Sequence, residues 1–521
     1  MKELVYHRYL LPAVERLASK PASIDGEFSA SFEQHLERVN RLAAGMRTDL
    51  GVGKGDRFAV MTLNGHHYLE LYHAALLSGS VINPLNLRLA PMELSFILKD
   101  SGAKVCFADA FFAPHIEKIR EEAGLEKLVL VGGTLGAEVP HEASYEDVVG
   151  AGENVLPGEP EEDDVAILMY TGGTTGLPKG VVIDQRALML DLYKVATLFG
   201  MDESFIYLHQ TPMFHAASLG AILAIPAVGG LTTYVSLFDP AKVLDTIEQQ
   251  AVNMTVMVPT MIGMLLDHPE FKPERLSSLE NLVYGASPMP TALLERVLKT
   301  FPDMAVYQGY GMTENCGLLT CLGPGDHRAG GDLLRSAGRP MPGSVVSIQD
   351  EQGNILPARE TGEVCARAGN YMREYWNRAE ETQAAFRGGW YHTGDAGYLD
   401  EAGYLYLVDR VKDMIVTGGE NVYSAEVENA IASHPSVAQV AVIGIPSKRW
   451  GEEVLAIVVA KDGTNPSEDE IKEWARDRIA GYKIPKRVEF RAEPLPLSGA
   501  MKVLKRELRA PYWEGRERGV E

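Results

Sequence analysis

The sequence predicts an α/β protein with a large N-terminal domain and a small C-terminal α+β domain. Three observations lead to this fold class. At 521 residues the chain is too long for one hydrophobic core, so at least two domains are expected. Short apolar runs alternate with amphipathic helical stretches, as in layered α/β structures with largely parallel sheets. From about Gly362 the strands become shorter and turns more frequent, and a compact unit follows Arg410.

The elements of the N-terminal domain follow from the spacing of apolar residues, which differs between strands and amphipathic helices. Short apolar runs rich in β-branched and aromatic residues are predicted as strands at Phe58–Leu63, Val105–Ala108, Lys127–Val131, Val165–Tyr170, Thr255–Val258, Asn281–Tyr284 and Ala305–Tyr307. Longer stretches with one apolar face are predicted as helices at His67–Leu77, Ala241–Ala251 and Thr291–Thr300.

The C-terminal unit shows its own pattern of helices and strands. Ser424–Ala432 and Glu468–Ile479 each have one apolar face and are predicted as helices. Val437–Ile445 and Val454–Val459 are continuous apolar runs and are predicted as strands. The domain boundary is therefore placed at 409/410, giving domains 1–409 and 410–521, and the second is long enough to fold independently.

Charge and cysteine use narrow the classes of function. The chain has 49 Lys and Arg against 71 Asp and Glu, a formal net charge of −22, which argues against nucleic acid as a partner. The cysteines form no CxxC pair, which indicates a reducing compartment without structural zinc. The N-terminus lacks the apolar core of a signal peptide, and no stretch reaches the roughly 18 apolar residues of a transmembrane helix. A cytoplasmic protein is expected.

A glycine-rich loop follows the predicted strand Val165–Tyr170. Glycines let backbone N–H groups approach an anion, hydroxyl groups donate further hydrogen bonds, and a lysine supplies positive charge. The loop is not a Walker A loop, because Pro178 precedes the lysine and no Ser or Thr follows it. It is predicted to bind phosphate through Thr171, Gly172, Gly173, Thr174, Thr175, Gly176 and Lys179.

The segment Tyr170–Gly180 resembles the phosphate loop of the adenylate-forming superfamily. This superfamily includes acyl-CoA synthetases, 4-coumarate–CoA ligases, firefly luciferases and nonribosomal peptide adenylation domains. Further motifs occur in family order, so the resemblance extends over essentially the whole chain. It implies the adenylate-forming enzyme fold: a large N-terminal domain of layered α/β subdomains that binds ATP and the acid, and a small mobile C-terminal domain. It also implies a homodimer.

Two segments resemble the motifs on either side of the adenine. In Gln308–Glu314 the resemblance implies an adenine-stacking ring at Tyr310, a hydroxyl near the α-phosphate at Thr313 and an Mg²⁺-binding carboxylate at Glu314. Mg²⁺ takes oxygen ligands, commonly only one or two of them from protein. Tyr284–Pro288 resembles the opposite wall of this site. The nucleotide-binding residues implied here are Gly285, Ala286, Ser287, Gln308, Gly309, Tyr310, Gly311, Met312 and Thr313.

Three later motifs resemble the ribose, hinge and thioester segments of the family. Asp395 matches the residue that accepts hydrogen bonds from both ribose hydroxyls, a task suited to a carboxylate. Arg410 matches a ribose and phosphate contact, and Lys412 matches the hinge between the domains. Gly418 and Gly419 lie in a segment that resembles the loop past which the CoA thiol enters.

The segment Leu495–Arg506 resembles the terminal motif that carries the catalytic lysine, which aligns with Lys502. Relatives usually have Gly before this lysine, whereas this chain has Met501, which has less backbone freedom and more bulk. The catalytic residues that the resemblance implies are Lys502, Thr175, Glu314 and His215.

The implied reaction joins a carboxylic acid to CoA in two steps. The carboxylate attacks the α-phosphate of ATP and releases pyrophosphate, and the CoA thiolate then attacks the acyl carbonyl and expels AMP. Catalysis of the first step is largely positioning and neutralisation of charge. ATP, Mg²⁺ and CoA are therefore the expected cofactor and co-substrates.

The acyl substrate is inferred from the surroundings of His215, which resembles the family position that borders the acyl carboxylate. Amino-acid-adenylating relatives carry an Asp in this region, and this chain has none there. The neighbouring residues that favour an apolar acyl tail are Met213, Phe214, Met261, Met264 and Leu265. A medium- or long-chain fatty acid is the first interpretation, and an aryl or arylpropenoic acid is the second.

Two other classes of function stay open from the sequence. One is a luciferase-like monooxygenase or a stand-alone adenylating enzyme that uses another acceptor, such as a carrier protein. The other is a nucleotide-binding protein with little catalytic activity, which only Met501 suggests.

Overall fold

The computed structural model describes residues 4–132, 139–155, 158–171, 178–410, 414–417, 420–447, 450–476, 478–499 and 501–514. Within these ranges it leaves the side chains of residues 409, 410, 416, 420 and 421 undescribed. The described strands form four sheets, named A to D below.

Sheet A is the largest described sheet, and its central strands are parallel. In spatial order its strands are Arg339–Pro340, Thr320–Leu322, Ala305–Tyr310, Asn281–Gly285, Met254–Met257, Ile206–His209, Leu231–Tyr234, Pro21–Asp25 and Phe28–Ser31. The strands from Ala305–Tyr310 to Pro21–Asp25 run parallel, and antiparallel strands flank them at both edges. Loops that follow parallel strands meet at one edge of a sheet, where ligands commonly bind.

Sheet B is also mainly parallel, but it has antiparallel strands at one edge only. In spatial order its strands are Glu374–Tyr375, Lys179–Asp184, Val165–Thr171, Val81–Pro84, Arg57–Met61, Val105–Asp109, Lys127–Val131 and Ala143–Ser144. The strands from Val165–Thr171 to Ala143–Ser144 are parallel. Thr171 pairs with Lys179 in an antiparallel ladder, so both ends of the glycine-rich loop are anchored in this sheet.

Two smaller sheets complete the described chain. Sheet C is antiparallel, with strands Ser344–Gln349, Gly362–Ala368, Tyr391–Leu399 and Leu405–Arg410. Sheet D contains Glu420–Val422, Ile415–Thr417, Gly451–Ala460, Val437–Ser447 and Arg487–Arg491. Sheet D has its own buried apolar cluster, built around Val427, Val442 and Val454. The chain thus ends in a smaller α+β domain.

Helices cover the sheets. Their bounds are His7–Leu17, Phe32–Thr48, His66–Ser78, Pro91–Ser101, Ala113–Ala123, Tyr145–Ala151, Gln185–Phe199, Leu219–Val228, Pro240–Gln250, Pro259–Leu266, Thr291–Thr300, Pro324–Ala329, Ala379–Ala385, Ser424–Ala432, Glu468–Arg476 and Lys505–Trp513. Helix Phe32–Thr48 begins with a capping box, in which the Gln34 N–H donates to Ser31 Oγ and the Ser31 N–H donates to Gln34 Oε1. None of the described helices is both long and apolar enough to cross a bilayer.

The predicted fold class is confirmed, and most predicted elements are present. Strand Lys127–Val131 and helices Thr291–Thr300 and Ser424–Ala432 have the predicted bounds. The other predicted strands and helices overlap observed ones, with ends displaced by a few residues. Helix Glu468–Arg476 is shorter than the predicted Glu468–Ile479. Strand Ile206–His209 in the middle of sheet A was not predicted, because a four-residue run gives little periodicity.

Candidate active site

A cleft of about 2840 Å³ contains most of the predicted site residues that the structure describes. It is lined by the loops after the parallel strands of sheet A, by one end of sheet C and by the C-terminal segment 495–506. The predicted residues on its wall are Thr171, Lys179, His215, Gly285, Ala286, Ser287, Gln308, Gly309, Tyr310, Gly311, Met312, Thr313, Glu314, Asp395 and Lys502. We call this space the central cleft.

The two predicted adenine motifs meet because their strands are neighbours in sheet A. Gly285 pairs with Gly309 at the carboxyl ends of parallel strands. A Cβ atom on residue 285 would lie 2.1 Å from the Gly309 carbonyl oxygen, so the close approach requires glycine there. The Tyr284 hydroxyl donates to Gln308 Oε1 at 3.2 Å, which ties the two motifs together just before this pair.

Tyr310 and Asp395 bring sheets A and C into contact at the cleft. The Tyr310 hydroxyl donates to Asp395 Oδ2 at 2.6 Å. Burial, reinforced by the Asp395 charge, holds the pKa of Tyr310 well above its ordinary value, so the phenol stays protonated and remains a donor. Asp395 pairs with Arg410, the last residue of its strand. The side chain of Arg410 lies outside the described part of the chain.

Glu314 and Lys179 both contact Tyr375. The Tyr375 hydroxyl donates to Glu314 Oε1 at 2.9 Å. Lys179 Nζ lies 5.1 Å from the centre of the Tyr375 ring and forms an ion pair with Glu381. A carboxylate that faces the cleft, as Glu314 does, is a suitable ligand for Mg²⁺, because this ion prefers oxygen donors. Tyr375 therefore links the strand after the glycine-rich loop to the predicted metal ligand.

His215 begins the short 3₁₀ helix Ala216–Ser218 and faces the cleft. The Ala217 N–H donates to His215 Nδ1 at 3.2 Å, so the proton of a neutral ring is on Nε2. Burial, with the nearby charge of Lys502 adding to it, lowers the pKa of His215 to about 3. The imidazole is therefore neutral at physiological pH and can donate a hydrogen bond from Nε2.

Lys502 lies in a tight loop of the C-terminal domain. Leu497 pairs with Val503 in an antiparallel bridge. The Ser498 N–H donates to the Lys502 carbonyl at 2.7 Å, and the Lys502 N–H donates to Ser498 Oγ at 3.1 Å. These hydrogen bonds fix the backbone on both sides of Lys502. We call residues 497–503 the lysine loop.

The N-terminal domain holds the lysine loop through its backbone. Arg88 Nη1 donates to the carbonyls of Leu497 and Ser498 at 3.1 and 3.2 Å. Thr260 Oγ1 donates to the Met501 carbonyl at 3.4 Å. These contacts keep Lys502 on the wall of the central cleft, close enough for its charge to act on His215.

Met501 has a backbone conformation that favours glycine. Its φ is +60°, in the left-handed region, which costs an L-residue about 1–2 kcal/mol. This geometry fits the glycine that the family resemblance implies at this position. The Met501 side chain packs at the edge of the apolar cluster around Met261 and Tyr284, and this packing offsets part of the strain.

An apolar recess extends from the cleft along the face of sheet A. Its members pack on one another and also line the cleft: Phe199, Met201, Tyr207, Ala221, Met254, Val256 and Val283. Of the residues predicted to favour an apolar tail, Phe214 and Met264 line the cleft. Met213, Met261 and Leu265 are instead buried in the apolar core, because periodicity does not distinguish a core side from a ligand side.

Two further groups border the recess. Asp191 is buried, and burial raises its pKa to about 7. Cys316 lines the cleft, and its thiol donates to the Asn370 carbonyl at 3.3 Å. Burial, with the Asp191 charge adding to it, raises the pKa of this thiol well above its ordinary value.

Several predicted site residues fall outside the described residues and stay predictions: Gly172, Gly173, Thr174, Thr175, Gly176, Lys412, Gly418 and Gly419. Sequence reasoning also missed residues that contact the predicted ones. The missed residues are Tyr375, Arg88 and Thr260. Each forms hydrogen bonds to residues that are distant in the sequence, so the only signal in the sequence was that their side chains are polar.

The cleft and the two domains define an enzyme of the adenylate-forming class. The family model described as AMP-binding enzyme matches residues 12–376, and the model for the AMP-binding enzyme C-terminal domain matches residues 426–502. The chain belongs to the AMP-binding enzyme family. It is an AMP-forming acid–thiol ligase, of the class that uses ATP, Mg²⁺ and CoA.

Curated relatives match nearly the whole chain. A fatty acid–[acyl-carrier-protein] ligase of Streptomyces coeruleorubidus is 36% identical over 96% of this chain and 95% of its own length. A feruloyl-CoA synthase of Amycolatopsis sp is 38% identical over 94% and 95% of the two chains. A long-chain-fatty-acid–CoA ligase of Mycobacterium tuberculosis is 38% identical over 93% and 94%.

A solved structure agrees with the fold. An anthranilate–CoA ligase in complex with anthranoyl-AMP superposes with a TM-score of 0.89, at 27% identity, and covers 98% of both chains.

The backbone of Met501 can be tested by substitution. Met501→Gly is expected to retain or raise the rate of acyl-AMP formation by up to about tenfold, because glycine adopts this φ without strain. Met501→Ala is the matched control, since it also removes the side chain but keeps the strain, and it should be slower than Met501→Gly. Acid-dependent pyrophosphate release measures both. A Met501→Gly variant no faster than Met501→Ala would contradict the role of the backbone.

Proposed function

We propose that this enzyme activates a medium- or long-chain fatty acid as acyl-AMP and transfers the acyl group to CoA. The observation that carries this proposal is that Lys502 and His215 line the same central cleft as the apolar recess, and that the charge of Lys502 acts on His215. An apolar tail in the recess would bring its carboxylate into the central cleft. The carboxylate would then lie near the wall formed by the predicted nucleotide motifs.

The first step needs positive charge and hydrogen-bond donors around the α-phosphate. Lys502 would follow the negative charge that develops as the carboxylate attacks, because its ammonium group is a compact charge on a flexible stem. The neutral His215 would donate from Nε2 to a carboxylate oxygen and orient it. Thr313 and the glycine-rich loop, including Thr175, would donate to the phosphates. A bound Mg²⁺ would neutralise phosphate charge, and Glu314 would hold it.

The second step needs a different group at the same place. The CoA thiolate must reach the acyl carbonyl from the side on which the lysine loop lies. We therefore propose that the domain 410–521 rotates about Lys412, moves Lys502 away, and brings Gly418 and Gly419 to the cleft. Arg410 would contact ribose and phosphate, and Asp395 would accept hydrogen bonds from the ribose hydroxyls.

The apolar recess supports a monocarboxylic acid with an apolar tail. Among the described residues of the recess and its border there is no Lys or Arg that could pair with a second carboxylate. Met254 and Val256 line the recess and Val258 lines the cleft beyond them, and an extended chain covers about 13 Å from Met254 to Val258. The fatty-acid–CoA ligase relative supports this substrate class.

An aryl or arylpropenoic acid is the second candidate. The aromatic side chains of Phe199 and Tyr207 in the recess favour an aromatic ring by edge-to-face packing. The feruloyl-CoA synthase relative supports this alternative. One relative is a fatty acid–[acyl-carrier-protein] ligase. The test of the acid substrate must therefore also ask whether CoA is the acyl acceptor.

Location and assembly are also proposed. The absence of a described membrane-spanning helix supports action in the cytoplasm. The net charge of −22 supports a small-molecule substrate and no nucleic acid partner. Family resemblance supports a homodimer, and the domain boundary at 409/410 remains a proposal.

Removal of the Lys502 ammonium tests the mechanism. Lys502→Ala is expected to slow acid-dependent pyrophosphate release by roughly a hundredfold or more, because the charge at the α-phosphate is lost. It should leave the conversion of supplied acyl-AMP and CoA largely intact. Lys461→Ala, at an exposed lysine of the same domain, is the matched control. Equal loss in both half-reactions would mean that another residue, such as Lys505, is the catalytic lysine.

Substitution of Glu314 tests the metal ligand. Glu314→Gln keeps the shape and the acceptor for Tyr375 but removes the charge. Acyl-AMP formation should fall by several orders of magnitude, with a higher Mg²⁺ concentration at half-maximal rate, while the thermal midpoint stays unchanged. Glu380→Gln, at an exposed glutamate, serves as the control. Near-normal pyrophosphate release from a folded Glu314→Gln variant would refute the assignment.

Shortening the recess tests the substrate. Val256→Phe is expected to lower kcat/KM for hexadecanoic acid at least tenfold and to spare hexanoic acid, because the added ring fills the deeper part of the recess. Val345→Phe, at an exposed valine of sheet C, is the matched control. AMP release should be measured with these acids, with ferulic acid and with octanedioic acid, each with and without CoA. A preference for octanedioic acid would contradict an apolar tail.

A further inference from the structure

Asp395 lies on an irregular part of sheet C. The second and third strands of this sheet pair regularly on either side of Val364, but Val364 itself lies opposite three residues, Thr393, Gly394 and Asp395. Such an insertion is a β-bulge, and bulges beside active sites redirect side chains. All three of these residues line the central cleft, where Asp395 contacts Tyr310.

Glu363 closes the bulge by binding its backbone. Gly394, in the middle of the bulge, has a φ of +73°, which glycine adopts without strain. Its N–H is out of register with the neighbouring strand, and it donates to Glu363 Oε1 at 3.2 Å. A carboxylate acceptor gives a stronger hydrogen bond than a neutral one, so Glu363 replaces the ladder partner that the bulge removes.

The Glu363 carboxylate is itself held in place. Arg387 Nη2 donates to Oε2 at 2.6 Å, and His392 Nδ1 lies 2.8 Å from the same oxygen. One carboxylate oxygen is therefore held by two side chains, and the other faces Gly394. The contacts of Oε2 with Arg387 and His392 fix the rotation of the Glu363 carboxylate. These side-chain contacts therefore set the position of the carboxylate independently of its hydrogen bond to the bulge.

The hydroxyl group of Thr393 is the second side-chain group that holds the bulge in place. Thr393 Oγ1 donates to the Val364 carbonyl at 2.8 Å, and the Asp395 N–H donates to Thr393 Oγ1 at 3.1 Å. The residue before Asp395 is thus held by Glu363, and the N–H of Asp395 is held by Thr393. With the Tyr310 hydroxyl on its carboxylate, Asp395 is constrained at both its backbone and its side chain.

We propose that Glu363 is a positioning residue for nucleotide binding: it holds the bulge so that the Asp395 carboxylate meets the ribose hydroxyls. This inference rests on the proposed function, in which Asp395 binds the ribose. Glu363 lies on the cleft wall, but its contribution passes through Gly394 and Asp395. Its removal should therefore weaken only the part of ATP binding that depends on the hydroxyls.

The test compares ATP with 2′,3′-dideoxy-ATP, which lacks both hydroxyls. The readout is kcat/KM for each nucleotide in acid-dependent pyrophosphate release by the full-length wild-type enzyme and by the Glu363→Ala, Glu363→Gln and Asp395→Ala variants. Glu351→Gln, at an exposed glutamate next to the same sheet, is the matched control. Thermal midpoints report whether each variant folds.

The wild-type enzyme should prefer ATP by roughly 10- to 100-fold, the value of hydrogen bonds to a charged group. Glu363→Ala should lose most of this preference through a higher KM for ATP, with kcat/KM for the dideoxy nucleotide unchanged. Glu363→Gln should recover much of it, because its amide oxygen still accepts from Gly394. Asp395→Ala should lose the whole preference for ATP and so provides the reference value for a complete loss. Glu351→Gln should behave as wild type.

Three outcomes would overturn one or both of the proposals. If Asp395→Ala loses the preference and Glu363→Ala keeps it, the positioning role of Glu363 is wrong while the ribose role of Asp395 stands. An equal fall for both nucleotides in Glu363→Ala would likewise overturn the positioning role, since it would indicate general damage to the sheet. If the wild-type enzyme does not distinguish the two nucleotides, Asp395 does not bind the ribose and both assignments fail.

Discussion

The docking of the lysine loop onto the N-terminal domain is the interaction on which the proposed first step depends, because it places Lys502 on the wall of the central cleft. The contacts described here use an exposed arginine, Arg88, and the hydroxyl of Thr260, both directed at backbone carbonyls. Hydrogen bonds of this kind stabilise by about 1–2 kcal/mol each. Such contacts suit the proposed mechanism, in which the loop docks for one step and leaves for the next, because a small free-energy difference keeps both arrangements accessible.

The electrostatics of the cleft contrast with those of the whole molecule. The chain has a net charge of −22, yet its substrates are polyanions, so cations must be concentrated locally. Lys179 and Lys502 line the cleft, and Lys179 is paired with Glu381. Phosphates that reach Lys179 must compete with this glutamate. Neutral His215 adds a donor without adding a second charge beside Lys502.

The sequence could predict individual elements and motifs because both depend on local patterns. Helix Thr291–Thr300 follows from an apolar face, and strand Lys127–Val131 follows from a short apolar run. The order of strands in sheet A could not be predicted, since parallel pairing joins segments distant in the chain. The contacts of Glu363 and Tyr375 could not be predicted for the same reason, because their partners lie 31 and 61 residues away. The partner of Glu363 is moreover a backbone N–H, which no residue type indicates.

Burial of Cys316 has a consequence for chemical selectivity. An acyl adenylate is an electrophile that any thiolate can attack, and a cysteine thiol lines the cleft in which we propose that it forms. Only the thiolate is an effective nucleophile, and burial beside Asp191 keeps this sulfur protonated. Its S–H is also directed at a backbone carbonyl. The enzyme can therefore hold a thiol-reactive intermediate next to its own cysteine without acylating itself. The acyl group is transferred only to a thiol that arrives from solvent.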